Sequence, residues 1–319
     1  MKEDNELAQH AQPATLPCVR YTQSSLYSGD MAHPIYADVL VPTQPLANKL
    51  PLILIHGAFH TGTAFLTTPD GRAGWAPYFA NRGRRSYVID WPGHGRSPAG
   101  ANFHELSGLD IARSMGRLIE EVGPCVLLAH SAGGPIAWQL AESHSEQVKA
   151  IVGVAPGGPA NIQKPLSDDP DAIAALRFDQ EAGCPIYSDP SKTFYVDIDF
   201  VRNYWANTPR FPAAALERYA RSIVGESPRI LNERFRIGAA GLLVKDPAAI
   251  GQRPILIVTG EQDPRHPRAT DERLALYFDA DFCFLPDLGI TGNGHMLMLD
   301  DNSDDIAGRI DDWLDKNGV

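Results

Sequence analysis

The chain is poor in residues that cross-link or ligate. Four cysteines occur in 319 residues (Cys18, Cys125, Cys184 and Cys283), and no two form a C-x-x-C pair. That spacing excludes a zinc ribbon and a thioredoxin-like redox pair, and Cys125 sits in an apolar run as a core residue would. No H-E-x-x-H occurs, so no metal site is expected. Basic runs and basic–aromatic interleaving are missing too. Lys and Arg number 28 against 39 Asp and Glu, leaving a formal net charge of −11. An acidic surface repels phosphate backbones, which argues against nucleic acid as a partner. No apolar run approaches the roughly 18 residues of a membrane helix. Met1 to Gln12 is polar and lacks the apolar segment of a secretion signal. The expectation is therefore a soluble, cytoplasmic protein. Gly93 and Gly95 lack the third glycine of a dinucleotide fingerprint, and no P-loop is present, so no cofactor is expected. Internal repeats are absent.

What remains is a chain with 44% hydrophobic and 21% charged residues, long enough for one large domain or one with an insert. Its apolar pattern alternates short buried runs with amphipathic stretches. Ile35–Val41 alternates as an early antiparallel strand does. Leu50–Ile55, Ser86–Asp90, Val126–His130, Val148–Val154, Pro254–Thr259 and Asp281–Leu285 form the further strands; the continuous runs suit burial on both faces. Trp75–Asn81, Leu106–Val122, the stretch after Gly134, Arg268–Phe278 and Ile306–Leu314 have helical spacing, with Leu109, Ala112, Met115, Leu118 and Ile119 on one stripe. Strands alternating with helices predict a mostly parallel sheet covered on both faces. Between Pro159 and Arg253 the alternation breaks, and proline, aspartate and aromatics rise. The expected organisation is an arm over 1–16, a core over 17–158 and 254–319, and a mainly helical cap over 159–253. Phe59 and the cap aromatics Phe194, Tyr204 and Trp205 are candidate pocket residues, with the cap's own small core as the plainer alternative.

The chemistry centres on V-L-L-A-H-S-A-G-G-P, Val126 to Pro135. A buried strand, a sharp turn and a helix place Ser131 at the turn, with the small residues Ala129 and Gly133 two positions away on either side. This A-x-S-x-G is one methyl from the G-x-S-x-G nucleophile elbow; alone it also suits a serine near a helix start. Asp263 and His295 each follow a later strand, and reactive groups in such sheets collect beyond the carboxyl ends of strands. A serine hydroxyl needs a base to take its proton, a histidine has a reference pKa of about 6.5, and an aspartate orients the ring. Ser131, His295 and Asp263 are thus the expected triad. The amides of Ala58, after His56-Gly57, and of Ala132 are the expected oxyanion donors. Glu261 is set aside because it lies nearer the strand end, and Asp90 is a poorer second acid. His130 is expected to be structural. His56, His60, His94 and His266 are expected at the surface or behind the site.

The order nucleophile, acid, histidine resembles the α/β-hydrolase superfamily over about residues 33 to 317. Within it, I-H-G-A-F-H-T-G (55–62), T-P-D-G-R-A-G-W (68–75), Y-V-I-D-W-P-G-H-G-R-S (87–97), H-S-A-G-G (130–134) and G-N-G-H-M (292–296) are similar to a bacterial esterase group that includes the sulfonylurea-herbicide de-esterifying esterase. The resemblance implies an α/β-hydrolase fold and cofactor-free hydrolysis of a carboxylic ester. It departs in two places. That group takes its acid as a glutamate at the position of Ala155, and its long insert precedes the nucleophile strand rather than following it. The expectation is a serine hydrolase acting on a small-molecule ester or lactone, with a homodimer as the candidate assembly. Carbon–carbon cleavage or acyl transfer by the same triad, and a hydrolase-shaped binding protein, remain alternatives.

Overall fold

The structure, a computed structural model, describes residues 20–176, 178–179, 184–185 and 187–319. The predicted arm over 1–16 lies outside the described residues. Eight strands form one sheet: β1 (Tyr21–Gly29), β2 (Pro34–Pro42), β3 (Leu52–Ile55), β4 (Ser86–Asp90), β5 (Cys125–His130), β6 (Val148–Val154), β7 (Ile255–Thr259) and β8 (Asp281–Phe284). Their order is β1-β2-β4-β3-β5-β6-β7-β8. β2 pairs antiparallel with β1 and β4, and the rest of the sheet is parallel.

Both faces are buried, for a reason visible in the central strands. Side chains alternate across a strand. Ile53, Ile55, Leu127, Ala129, Ile255 and Ile257 enter one cluster, and Leu52, Leu54, Val126, Leu128, Leu256 and Val258 enter the other. Each fully buried Leu, Ile or Val contributes about 1.5–3 kcal/mol. Helices α1 (Trp75–Asn81), α2 (Gly108–Val122), α3 (Gly133–Ser143), α4 (Arg268–Phe278) and α5 (Ser303–Lys316) cover the faces. Residues of α2, α3 and α4 share the first cluster; those of α1 and α5 share the second. A capping box starts α2: the Ser107 hydroxyl accepts the Asp110 N–H at 3.1 Å, and the Asp110 carboxylate accepts the Ser107 N–H at 3.0 Å.

Several expectations are refined. β1 pairs with β2 along its whole length, yet Y-T-Q-S-S-L-Y-S-G shows little apolar alternation because this edge strand buries little. In α2 the buried stripe carries Ile111; Leu109 is half-exposed. The final helix begins three residues before Ile306. Between β6 and β7 the chain leaves the sheet in short helices such as Ile198–Tyr204, Leu216–Ala220 and Pro228–Arg234. Val201, Trp205, Phe211 and Tyr219 of this insert are buried in the second cluster. The insert therefore continues the core and stands on the sheet's own apolar face.

Candidate active site

The carboxyl ends of β5, β7 and β8 carry the site. Ser131 follows β5 directly and has φ +50, a left-handed backbone that a non-glycine residue adopts at a cost of order 1–3 kcal/mol. The turn is held by the Ser131 N–H donating to the Val154 carbonyl at 3.2 Å, and by the Gly134 and Gly157 N–H groups donating to the Ser131 carbonyl, each at 2.8 Å. Close packing dictates the small neighbours. A Cβ on Gly133 would lie 2.9 Å from the His56 carbonyl oxygen, and one on Gly57 would lie 2.9 Å from the Ser131 Cβ. The turn after β5 and the loop after β3 thus pack too closely for larger residues.

Ser131 Oγ lies 3.0 Å from His295 Nε2, and His295 Nδ1 lies 2.8 Å from Asp263 Oδ2. The carboxylate accepts, so Nδ1 carries the proton and the Nε2 lone pair faces the serine hydroxyl. Asp263 Oδ1 accepts the Arg265 and His266 N–H groups at 2.8 and 3.1 Å. Burial pushes the Asp263 carboxyl up, but His295, His266 and the backbone donors outweigh it and hold it at about 2. Burial lowers His295, and its partner Asp263 only partly offsets this. The imidazole therefore stays neutral, and able to accept a proton, below the usual histidine range.

The Ala58 and Ala132 amides flank the serine, and no described backbone acceptor takes up either N–H. Ala132 caps α3, where the helix dipole favours negative charge. A cavity of about 530 Å³ opens here, bounded by Ala58, Phe59, His60, Ser131 and His295 on the core side and by Ile162, Trp205, Ile230 and Leu242 from the insert. Of the candidate pocket aromatics, Phe59 and Trp205 line it. Phe194 stands behind Phe59, ring centroids 6.0 Å apart, and Tyr204 packs on Phe200 at 5.1 Å. The rival acids are engaged elsewhere. Asp90 holds the Gly62 N–H at 2.7 Å and the Arg96 N–H and Nε at 2.9 Å each. Glu261 accepts the Gly292 N–H at 2.8 Å and so braces the histidine loop.

Of the two places expected for the loop histidines, the surface or behind the site, the surface is not taken: His56, His60, His94 and His266 are all largely or fully buried. His56 donates Nδ1–H to the Gly57 carbonyl at 2.8 Å and accepts the Trp91 N–H at 3.0 Å. The His266 ring stacks on His295 with centroids 5.4 Å apart and pairs with Asp271 at 2.9 Å. His130 donates Nε2–H to the His295 carbonyl at 3.1 Å, the structural part expected of it. His60 sets Nδ1 2.8 Å from the Ala58 carbonyl and Nε2 2.8 Å from the Tyr219 hydroxyl. The T-P-D-G-R-A-G-W block is also absorbed here. Arg72 donates to the Leu299 and Asp300 carbonyls at 3.1 Å each, and Trp75 Nε1 to the Ser303 carbonyl at 3.0 Å, which fixes the segment after His295.

Among the described residues no helix is long and apolar enough to cross a membrane. The chain is 27% identical to a probable secreted lipase, phiG, from a fungal species, over 88% of this chain and 86% of that one. Among solved structures, an N-acyl homoserine lactone degrading enzyme superposes with a TM-score of 0.61 at 21% identity, covering 90% of this chain and 99% of the other. A novel bacterial esterase superposes with a TM-score of 0.57 at 20% identity over 98% and 100% of the two chains. Residues 52–309 match the alpha/beta hydrolase family along most of the chain, and with the sheet order, the elbow at Ser131 and the hydrogen-bonded Ser131–His295–Asp263 chain beside them, the protein belongs to that family.

Proposed function

We propose that the protein is a serine hydrolase of small carboxylic esters or lactones that works through an acyl-enzyme. The observation that carries this is the unbroken hydrogen-bond chain from Ser131 Oγ through His295 to Asp263, with the serine raised on a left-handed turn. The lipase and esterase relatives support the same class of substrate, and the lactone-degrading neighbour keeps lactones within it.

Each step follows from the donors and acceptors in place. Ser131 Oγ attacks the carbonyl carbon while His295 Nε2 takes the hydroxyl proton. Negative charge gathers on the former carbonyl oxygen, where the Ala58 and Ala132 N–H groups receive it. Losing one such donor typically costs about 100- to 1,000-fold in rate. The carbon–oxygen bond to the leaving group breaks, and that oxygen takes the proton from the imidazolium. Water then attacks the acyl-serine, giving its proton to His295; the second tetrahedral intermediate expels Ser131, which regains its hydrogen. Asp263 keeps Nδ1 protonated and steadies the imidazolium throughout. Residues 159–253 act as the cap, supplying the outer wall of the cavity.

Turnover of p-nitrophenyl acetate, with Ser131→Ala and His295→Ala as controls, tests the proposal. Both variants should lose nearly all activity. Wild-type rates in either would remove the serine mechanism, and absence of turnover across a panel of acyl esters, aryl esters and lactones would leave the hydrolase-shaped binding protein.

A further inference from the structure

A buried ion pair outside the triad lies against the loop that carries Ala58 and Phe59. Glu226 comes from the insert and is fully buried, as is His94 from the loop after β4. Their side chains meet at 3.2 Å. His94 Nδ1 faces the Pro92 carbonyl at 3.1 Å. Both ring nitrogens therefore face acceptors, which only an imidazolium satisfies with two N–H groups. A buried ion pair is weak evidence for stability, because desolvating both charges offsets their attraction. Its retention calls for another reason, and the remaining contacts of Glu226 supply one.

Glu226 Oε2 also accepts the Phe59 N–H at 3.0 Å, and Oε1 accepts the Ser227 N–H at 2.8 Å. Phe59 is the residue after Ala58 and has φ +66. The peptide between Ala58 and Phe59 is gripped at both ends: its N–H by Glu226, its carbonyl by His60 Nδ1 at 2.8 Å. Because His60 donates from Nδ1, its Nε2 accepts from the hydroxyl of Tyr219, again an insert residue, at 2.8 Å. The Phe59 carbonyl accepts the Val224 N–H of the insert at 3.0 Å. Turning that peptide over would set its carbonyl oxygen against the buried carboxylate.

Resting on the hydrolase reading above, we propose that Glu226 is a positioning residue. Its carboxylate, delivered by the insert, locks the left-handed turn at Phe59 and so aims the Ala58 N–H at the oxygen that becomes negative during reaction. The insert is then part of the oxyanion loop as well as the pocket wall, and His94 balances the charge that does the holding.

The experiment measures kcat, KM and the inhibition constant of butylboronic acid, whose adduct with Ser131 is a tetrahedral anion, for wild type, Glu226→Gln and Glu226→Ala. Circular dichroism and thermal melting confirm folding. In Glu226→Ala, kcat should fall between about tenfold and the 100- to 1,000-fold of a lost donor. KM should hold within about twofold, and boronate should bind more weakly by a factor close to that in kcat. Glu226→Gln, which keeps one acceptor oxygen for Phe59, should fall in between. A folded Glu226→Ala with kcat within twofold of wild type overturns the proposal, as does a rise in KM alone. If the Ala variant does not fold, the isosteric Gln variant decides: a kcat loss of threefold or more at constant KM upholds it, and a smaller loss overturns it. A wild type without ester turnover overturns both readings. A wild type whose activity is lost in Ser131→Ala and kept in Glu226→Ala overturns this one alone.

Discussion

Replacing Asp263 with Asn changes one atom and should nearly abolish turnover, and the hydrogen bonds say why. The carboxylate serves three donors: His295 Nδ1–H on Oδ2, and the Arg265 and His266 N–H groups on Oδ1. An amide has one acceptor oxygen and must choose. If the oxygen stays with the two backbone donors, the NH2 group faces His295 Nδ1, which must then accept. The ring proton moves to Nε2, opposite Ser131 Oγ at 3.0 Å. That tautomer cannot take the serine proton. If the amide turns over, the NH2 group opposes two backbone N–H groups, leaving two buried donors unsatisfied at about 1–3 kcal/mol each. The working tautomer therefore stands roughly 2–6 kcal/mol above the idle one. A loss of about 10⁴ in kcat, as in the best-studied triad, corresponds to about 5 kcal/mol and falls within that range. The assay is kcat on p-nitrophenyl acetate, with a thermal melt to confirm folding and Asp90→Asn as control. The Asp90 carboxylate is bonded to Gly62 and Arg96 and not to the triad, so its Asn variant should keep kcat within about tenfold. More than a tenth of wild-type kcat in Asp263→Asn, or a larger loss in Asp90→Asn, would refute the reasoning.

Three further outcomes are expected. Burial lowers His295, and the neutral ring is the active form, so the acid limb of kcat/KM against pH should lie below the reference of about 6.5; a limb above it would count against His295 as the base. Burial pushes the Asp300 carboxyl up to about 7, against the pull of Asn293 and the Gly294 N–H. The protonated form stabilises the fold, so its contribution is complete below the unfolded pKa of about 3.9 and is lost as pH rises towards 7, by at most about 1.4 kcal/mol per pH unit. Unfolding in urea from pH 4 to 8 should show this decline, and Asp300→Asn should remove it. Gly133→Ala would set a methyl 2.9 Å from the His56 oxygen, forcing the serine turn and the Ala58 loop apart. A shift near 1 Å costs about 100-fold, so kcat should drop by tenfold or more in protein that still melts cooperatively.

Much of the frame was legible because its signals are local. Continuous apolar runs mark strands buried on both faces, small residues around Ser131 mark a crowded turn, and strand ends mark where Asp263 and His295 emerge. β1 was missed because an edge strand exposes most of its side chains and carries no apolar rhythm. The loop histidines stay undecided between the surface and a place behind the site for a related reason. A histidine in a polar turn looks the same whether water or a carboxylate faces it, and the carboxylate that meets His94, Glu226, arrives from 132 residues further on. Phe194, Tyr204 and Trp205 likewise share one aromatic texture, and only packing separates the wall of the cavity from the layer behind it.

By itself, then, the sequence determined the alternation of strand and helix, the turn that lifts Ser131, and the order in which serine, aspartate and histidine follow their strands. Those depend on side-chain periodicity and on residues within a few positions of one another. The tertiary structure alone decided that the insert grips the Ala58–Phe59 peptide, that His266 stacks on His295, and that Asp90 is spent on Gly62 and Arg96. Such pairings join segments far apart in the chain, and their energy depends on distance and burial, which no local pattern carries.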